Sequence, residues 1–294
     1  MQPSLLERTL ILYARHFPVR RGKLRVIDTL WRTAAGGQGT DRTAHLKFGQ
    51  FMMPCDLSET LQRQFYFFGT YFLEDEIVRV WQTLAKGAGV VFDIGANAGI
   101  YSLAALAVEP RAVVHAFEPT PEIAQRLRKT AAMNALSSLQ VHELAISDEG
   151  GRAILTRWRG DDGANEGMNY LGAPENAALE QLKVNTVRLD DFCESNRIGR
   201  IDLLKLDIQG HEHAALLGAE TLIRSGRIGK VLMELNWGTG RPGDCAASLS
   251  VKLLEDAGYR FAAPRSPLSW RAAGDWMRSL SDVVAFQDAL SVGS

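Results

Sequence analysis

The chain has 294 residues, 46% of them hydrophobic and 23% charged, with a formal net charge of -1. That balance supports a sizeable core and excludes disorder, collagen-like repeats and a nucleic-acid-coating protein. Three cysteines, Cys55, Cys193 and Cys245, are an odd number without CxxC spacing, so a reduced, cytoplasmic protein is expected rather than a zinc ribbon or a secreted disulfide framework.

Leu5, Leu6, Leu10, Ile11 and Leu12 recur at helical spacing, and Glu7, Arg8 and Arg15 interrupt the apolar stretch that a signal peptide requires. No apolar run reaches the roughly 18 to 20 residues of a membrane helix, so no integral membrane association is expected. Residues 1–42 carry eight basic side chains against three acidic ones, which makes either a solvated face or a meeting place for an acidic partner or lipid surface. Residues 43–54 predict a β-hairpin around Gly49, followed by a helix that Asp56 or Ser58 caps. The aromatic run Phe65, Tyr66, Phe67 and Phe68 is either core or a surface for a second copy of the chain. Residues 1–70 thus read as a small α+β lead-in and residues 71–294 as the main domain, opening with a helix from Leu73 to Lys86 that Gly87 and Gly89 stop.

From Val90 onward, short apolar runs alternate with helical stretches. VVFDIG, AVVHAFEP, LQVHELAI, IDLLKLDI and KVLMELN read as strands; Ile100 to Ala107, Pro121 to Asn134 and His211 to Ile223 read as helices. This alternation predicts an α/β fold, a mostly parallel sheet with helices on both faces. YRFAA and SDVVAF form an antiparallel closing pair. Between Gly151 and Val187 the rhythm lapses into a polar stretch (RGDDGANEGMNYLG), read as a long binding loop.

The sharpest motif is Asp93-Ile-Gly95-Ala-Asn97-Ala-Gly99, where a buried strand turns into a helix and backbone N–H groups are left for a ligand. A nicotinamide enzyme wants Gly-x-Gly-x-x-Gly, and Asn97 and Ile100 stand where the second and third glycines belong. Glu118 ends the next strand 23 residues after Gly95, the place where an acid accepts both ribose hydroxyls; the bland alternative is a solvated strand-end charge. Asp93 repels a phosphate and attracts a cation. A ligand with a ribose, no phosphate and a positive end is S-adenosylmethionine.

Taken together, VFDIGANAGIYSL, AFEPTPEIAQRL, AISDEGG and LLKLDIQGHEHAALLGAE resemble the FkbM-type S-adenosylmethionine-dependent methyltransferases over roughly Gly69 to Phe286, with RQFYFFGTYFLEDE similar to the family's lead-in. The resemblance implies a class I methyltransferase sheet. It places Asp93, Gly95, Asn97 and Gly99 around the methionine part, Glu118 on the ribose, and Leu144 and Ala145 near adenine. It also implies methylation of a hydroxyl oxygen on a sugar, glycolipid or small natural product.

Lys205 lies inside an apolar strand and needs a partner; its strand should run between those ending at Asp93 and Glu234, which makes it an electrostatic organiser. Asp207, two residues on, faces the same way at the carboxyl end of the strand and is the leading candidate for a methyl-transfer residue. Glu234 and His211 are the other candidate bases, Glu234 with its charge committed to Lys205 and His211 with the better intrinsic pKa. His211 and His213 sit about 200° apart on a helix and cannot chelate one ion, so no metal site is expected. Glu212 either favours the helix dipole or makes a functional hydrogen bond. Trp237, Trp270 and Trp276 are core or line a cleft, and Asn165 and Asn169 offer donors and acceptors to a hydroxyl-rich acceptor. The rival readings are an N-methyltransferase of a small amine or protein and a non-catalytic S-adenosylmethionine sensor or scaffold.

Overall fold

A computed structural model describes residues 3–34, 41–157, 159–160, 163–164, 169–172, 180–235, 244–265, 267–274, 277 and 280–287. At the front, α1 (Leu5–His16) opens with a reciprocal cap in which Ser4 and Glu7 exchange backbone and side-chain hydrogen bonds. After α2 (Lys23–Ala34), β1 (Asp41–His45) and β2 (Met52–Asp56) pair antiparallel as the expected hairpin. The next helix, α3 (Thr60–Phe68), has Glu59 at its cap. Asp56 does not cap it; its carboxylate takes the N–H and the hydroxyl of Ser58 and closes a turn ahead of the helix. Phe65, Tyr66, Phe67 and Phe68 are all buried, so the aromatic run is core and offers no surface to a second copy. Part of the N-terminal positive charge is also used internally, since Arg42 pairs with Glu7 at 2.7 Å and Arg15 donates to the carbonyl of His45 at 2.8 Å.

The chain continues through α4 (Asp75–Ala85), β3 (Val90–Ile94), α5 (Ile100–Val108), β4 (Val113–Phe117), α6 (Pro121–Met133), β5 (Leu139–His142) and β6 (Ala145–Ile146). Then come β7 (Gly151–Arg157), β8 (Arg159–Gly160), β9 (Gly163–Ala164), β10 (Tyr170–Leu171), β11 (Glu180–Val187) and α7 (Leu189–Ser195). The last elements are β12 (Ile201–Leu206), α8 (Glu212–Leu217), α9 (Glu220–Arg224), β13 (Ile228–Glu234), α10 (Asp244–Asp256), β14 (Tyr259–Ala262) and β15 (Asp282–Gln287).

Seven strands form the main sheet in the order β14-β15-β13-β12-β3-β4-β5. Those from β13 to β5 are parallel, and β15 runs antiparallel to both its neighbours, as the alternation of elements predicts. Strand order reverses between β3 and β12, and at such a switch point the loops part to leave a crevice at the carboxyl ends. The pleat decides what faces that crevice. Leu203 packs into the layer containing Trp81, Tyr101 and Leu103, whereas Leu204 and Leu206 pack into the opposite layer with Ile223 and Leu254. Period-two alternation therefore sets Lys205 on the α4–α5 side of the sheet.

Three further expectations are revised by contacts between distant segments. LQVHELAI is not one strand: β5 pairs with β4, and β6 crosses to pair with β11 in a second sheet of order β10-β7-β11-β6. In the segment read as a polar loop, most of the described residues belong to that second sheet, because β7 and β11 pair antiparallel from Gly151↔Thr186 to Arg157↔Glu180 and bury Leu155 and Val184; residues 158, 161–162, 165–168 and 173–179 lie outside the described residues. The helix read from His211 to Ile223 is two, α8 and α9, broken at Gly218, where a Cβ would lie 2.0 Å from the carbonyl oxygen of Ser147.

Candidate active site

A cavity of about 400 Å³ opens at the switch point, within the range of about 300–1,000 Å³ typical of small-molecule pockets. The turn after β3 forms one wall. Gly95 has φ +74, and a Cβ on it would stand 2.1 Å from the carbonyl oxygen of Asp207, so only glycine lets the ends of β3 and β12 approach this closely. Asn97 is also left-handed at φ +48; its N–H donates to Glu118 Oε2 at 3.1 Å, and its own Oδ1 accepts the Ala98 N–H at 2.6 Å. Glu118 Oε1 accepts the Thr120 N–H at 2.9 Å. Two backbone donors thus fix the plane of the Glu118 carboxylate at the cavity wall, and the solvated strand-end alternative falls, since the residue is only 6% exposed. The buried hydroxyl of Thr120, which also lines the cavity, makes no hydrogen bond among the described residues. Leu144, Ala145, Ile146, Leu155 and Leu171 supply an apolar wall, with Asn169 beside them.

The opposite end is dense in charge. Lys205, 4% exposed, lies 3.2 Å from Asp207 Oδ2 and 3.8 Å from Asp93 Oδ1, donates to the Gly95 carbonyl at 3.4 Å, and sits 4.8 Å from the centroid of the Tyr101 ring. Burial opposes its charge, but Asp207, then Asp93, then Glu74 outweigh burial and raise its pKa. Burial likewise pushes the Asp207 carboxyl up, and the Lys205 ammonium, helped by the Gln209 amide, overrides this and holds it below the ordinary carboxylate range. The Gln209 amide bridges the two acids, donating at 3.0 Å to both Asp207 Oδ1 and Glu234 Oε2.

Glu74, at the start of α4, accepts the Tyr101 hydroxyl at 2.5 Å. Burial, and after it the Asp207 charge, push its carboxyl up to about 7 against the pull of Tyr101 and Lys205. Glu74, Tyr71, Tyr101, Thr120, Gln209 and Asp282 also line the cavity, and no motif in the sequence marks them. The only local signal at Glu74 was an acid at a helix start, which is common to any capped helix.

The expected site residues divide into three groups. Gly95, Asn97, Glu118, Leu144, Ala145, Asn169, Asp207 and Glu234 meet around the cavity. Asp93 and Gly99 stand one layer behind it. Asp93 is fully buried; Oδ2 accepts the N–H and hydroxyl of Ser102 at 2.9 and 2.6 Å, so it anchors α5 and pairs with Lys205 rather than meeting a ligand cation. At Gly99 a Cβ would lie 2.3 Å from Leu127 Cδ1, which makes this glycine a contact between α5 and α6.

His211 is the third case. Its Nε2 lies 2.9 Å from the Ser147 hydroxyl, away from the cavity, and burial lowers its pKa. The ring therefore ties the α8 start to the β6 end and is not placed to act as a base. Lys205 does lie between the strands ending at Asp93 and Glu234, but its ion partners are Asp207 and Asp93, while Glu234 receives Gln209. Glu212 Oε1 accepts the N–H groups of Ile208 and Gly210 at 3.0 and 3.1 Å, which shapes the turn after β12. Trp270 packs its ring 5.3 Å from Phe286. Asn165, Trp237 and Trp276 lie outside the described residues. Among the described residues, no group of three or more His, Cys, Asp or Glu side chains is placed to hold a metal ion.

A parallel sheet of this order, with a glycine turn after its first strand, an acid ending the second and a crevice at the switch point, is the architecture of a class I methyltransferase. The chain belongs to the family described as the methyltransferase FkbM domain, which matches residues 93–261. It is 34% identical over 153 residues to the 2-O-methyltransferase NoeI of Sinorhizobium fredii, a match covering 48% of this chain and 62% of NoeI. It is 30% identical over 203 residues to the 31-O-demethyl-FK506 methyltransferase FkbM of Streptomyces tacrolimicus, covering 61% of this chain and 75% of that one. It is also 24% identical over 182 residues to the hexuronic acid methyltransferase AglP of Haloferax volcanii, covering 62% and 70% respectively.

Proposed function

We propose that the protein transfers the methyl group of S-adenosylmethionine to a hydroxyl oxygen of a small-molecule or glycosidic acceptor. The observation that carries this reading is the cavity itself. Among the described residues, Glu118, Asp207 and Glu234, together with Glu74 and Asp282 when ionised, line it with one lysine, Lys205, and such a field attracts a cationic sulfonium ligand and repels a pyrophosphate. The residues fit that ligand: Glu118 and the unpartnered Thr120 hydroxyl suit the ribose, the wall from Leu144 to Ile146 suits adenine, and the acidic end suits the methionine cation. When bound, S-adenosylmethionine supplies an electrophilic methyl carbon.

The protein's own task is then alignment. Glu118, locked by two backbone N–H groups, fixes one end of the donor, while the Lys205–Asp207–Gln209–Glu234 network keeps the other end rigid. Holding the acceptor oxygen in line with the methyl carbon provides most of the rate. The relatives' names, a 2-O-methyltransferase and a 31-O-demethyl-FK506 methyltransferase, support oxygen over nitrogen as the target. Asn169, beside the apolar wall, is assigned to the acceptor, and Asn165 is kept with it on sequence grounds. The proposal retains residues 1–70 as a lead-in to a methyltransferase domain of 71–294. It also retains a cytoplasmic location, supported by the buried, unpaired thiols of Cys55 and Cys193; no described helix is long and apolar enough to cross a membrane.

Incubation with methyl-tritiated S-adenosylmethionine and a small-molecule cell extract tests the reading. A labelled product that survives acid, as a methyl ether does, supports O-transfer. A labelled methylamine supports the N-methyl alternative, and binding without any product supports the sensor.

A further inference from the structure

An alcohol attacks a methyl carbon only as its proton leaves, so a base near the acceptor matters to the rate. The two carboxylates the sequence brought forward are poorly suited to this. Asp207 is held ionised by Lys205 and bridged to Glu234 by Gln209, so both acids are built into a fixed network. His211 points to Ser147.

We propose that Glu74 is the group that takes the proton from the acceptor hydroxyl. The inference rests on the O-methyl transfer reading and deepens it. Its geometry is specific. Glu74 stands at the cavity wall at the start of α4, with its Oε2 fixed by the Tyr101 hydroxyl at 2.5 Å. Tyr101 in turn places its ring 4.8 Å from the Lys205 ammonium, so Glu74, Tyr101, Lys205 and Asp207 form one connected arc around the cavity.

The ionisable groups around Glu74 come from four other elements and the loop before α4. Tyr71, from the loop before α4, keeps its own proton, since burial and the Glu74 charge raise its pKa. Tyr101, from α5, donates to the carboxylate and favours its charged form. Lys205 does the same from β12, while Asp207 on β12 and Asp282 on β15 oppose that charge. Glu234 on β13 completes the acidic side of the cavity. The balance leaves one carboxylate pushed down and a second pushed up to about 7 in the same site, the separation by which one pocket obtains a fixed anion and a working base.

The step balances. The acceptor O–H proton passes to a Glu74 carboxylate oxygen, the acceptor oxygen's electron pair forms the new C–O bond, and the electron pair of the breaking C–S bond stays on sulfur. Glu74 then returns its proton to solvent.

The test compares wild type, Glu74→Gln and Tyr101→Phe, assayed with methyl-tritiated S-adenosylmethionine and the same small-molecule extract between pH 5 and 9. Wild-type turnover should rise through an acidic limb centred near 7. Glu74→Gln should lower turnover by about 10²- to 10⁴-fold and remove that limb, with S-adenosylmethionine affinity by calorimetry changing less than about threefold. Tyr101→Phe removes a donor to the charged form, so its limb should move to higher pH. Independently of turnover, the carbon-13 carboxyl signal missing from Glu74→Gln should titrate near 7 in wild type. Wild-type-like turnover in Glu74→Gln, an unmoved limb, or a loss confined to S-adenosylmethionine binding would each overturn the assignment, the last making Glu74 a donor-binding carboxylate. No labelled product from wild type would defeat the transfer reading itself, and the assignment with it.

Discussion

Replacing Lys205 with methionine tests whether the site's charges are organised from one buried ammonium. The side chain is 4% exposed and its nearest anions are Asp207 at 3.2 Å and Asp93 at 3.8 Å, the latter 0% exposed. Methionine keeps most of the packing but leaves Asp93 with only the Ser102 donors, and breaking one side of a buried pair costs about 3–5 kcal/mol because the remaining charge has no compensation. Urea denaturation should show a loss of that size at pH 7. The sign of its pH dependence follows from the carboxyls. A carboxyl raised in the folded state supports folding at low pH and withdraws that support as pH rises through the folded pKa. Burial already raises Asp93, and losing the ammonium raises it further, while Asp207 loses the interaction that lowers it. The deficit should therefore shrink below the ordinary carboxyl range, where both acids are protonated, and grow toward neutrality. Lys205→Met combined with Asp93→Asn should recover much of the loss, since the two sites are coupled. A single-variant cost below about 1 kcal/mol that is flat with pH would refute the claim that Lys205 neutralises Asp93.

Three further outcomes are expected. Glu118→Ala should weaken S-adenosylmethionine by about tenfold or more in titration calorimetry, because charge-assisted hydrogen bonds contribute roughly 1.5–3 kcal/mol each; unchanged affinity would remove the ribose assignment, and NADH should show no binding in either protein. Asn169→Ala should raise the KM for the acceptor and leave donor affinity intact, whereas equal damage to both would indicate misfolding. Gly95→Ala should abolish donor binding and lower thermal stability, since the new Cβ meets the Asp207 carbonyl at 2.1 Å on a backbone with φ +74; a folded variant with normal calorimetry would show that the strands separate without cost.

The sheet was legible in the sequence because its strands are local. Val90–Ile94, Val113–Phe117 and Ile201–Leu206 are short apolar runs separated by helices of ordinary length, and buried parallel strands need little else to be recognised. Gly95, Asn97 and Glu118 were likewise fixed by their positions at strand ends. What the sequence left open depends on contacts between distant segments. β6 leaves β5 to pair with β11, and the Ser147 carbonyl comes so close to Gly218 that only glycine fits there. Asp93 and Asp207 share a face of the sheet, yet register sets Asp93 inside β3 against Ser102 of α5 and Asp207 just beyond β12 at the cavity. Glu74 shows the difference most directly. Its helix start was visible in the chain, but its environment was not, because the tyrosine that holds it is 27 residues away and the carboxylate that raises its pKa comes from a strand more than a hundred residues on. Local order follows from periodicity and turn chemistry, whereas a carboxyl's proton affinity is set by burial and by which charges the fold brings within a few ångströms.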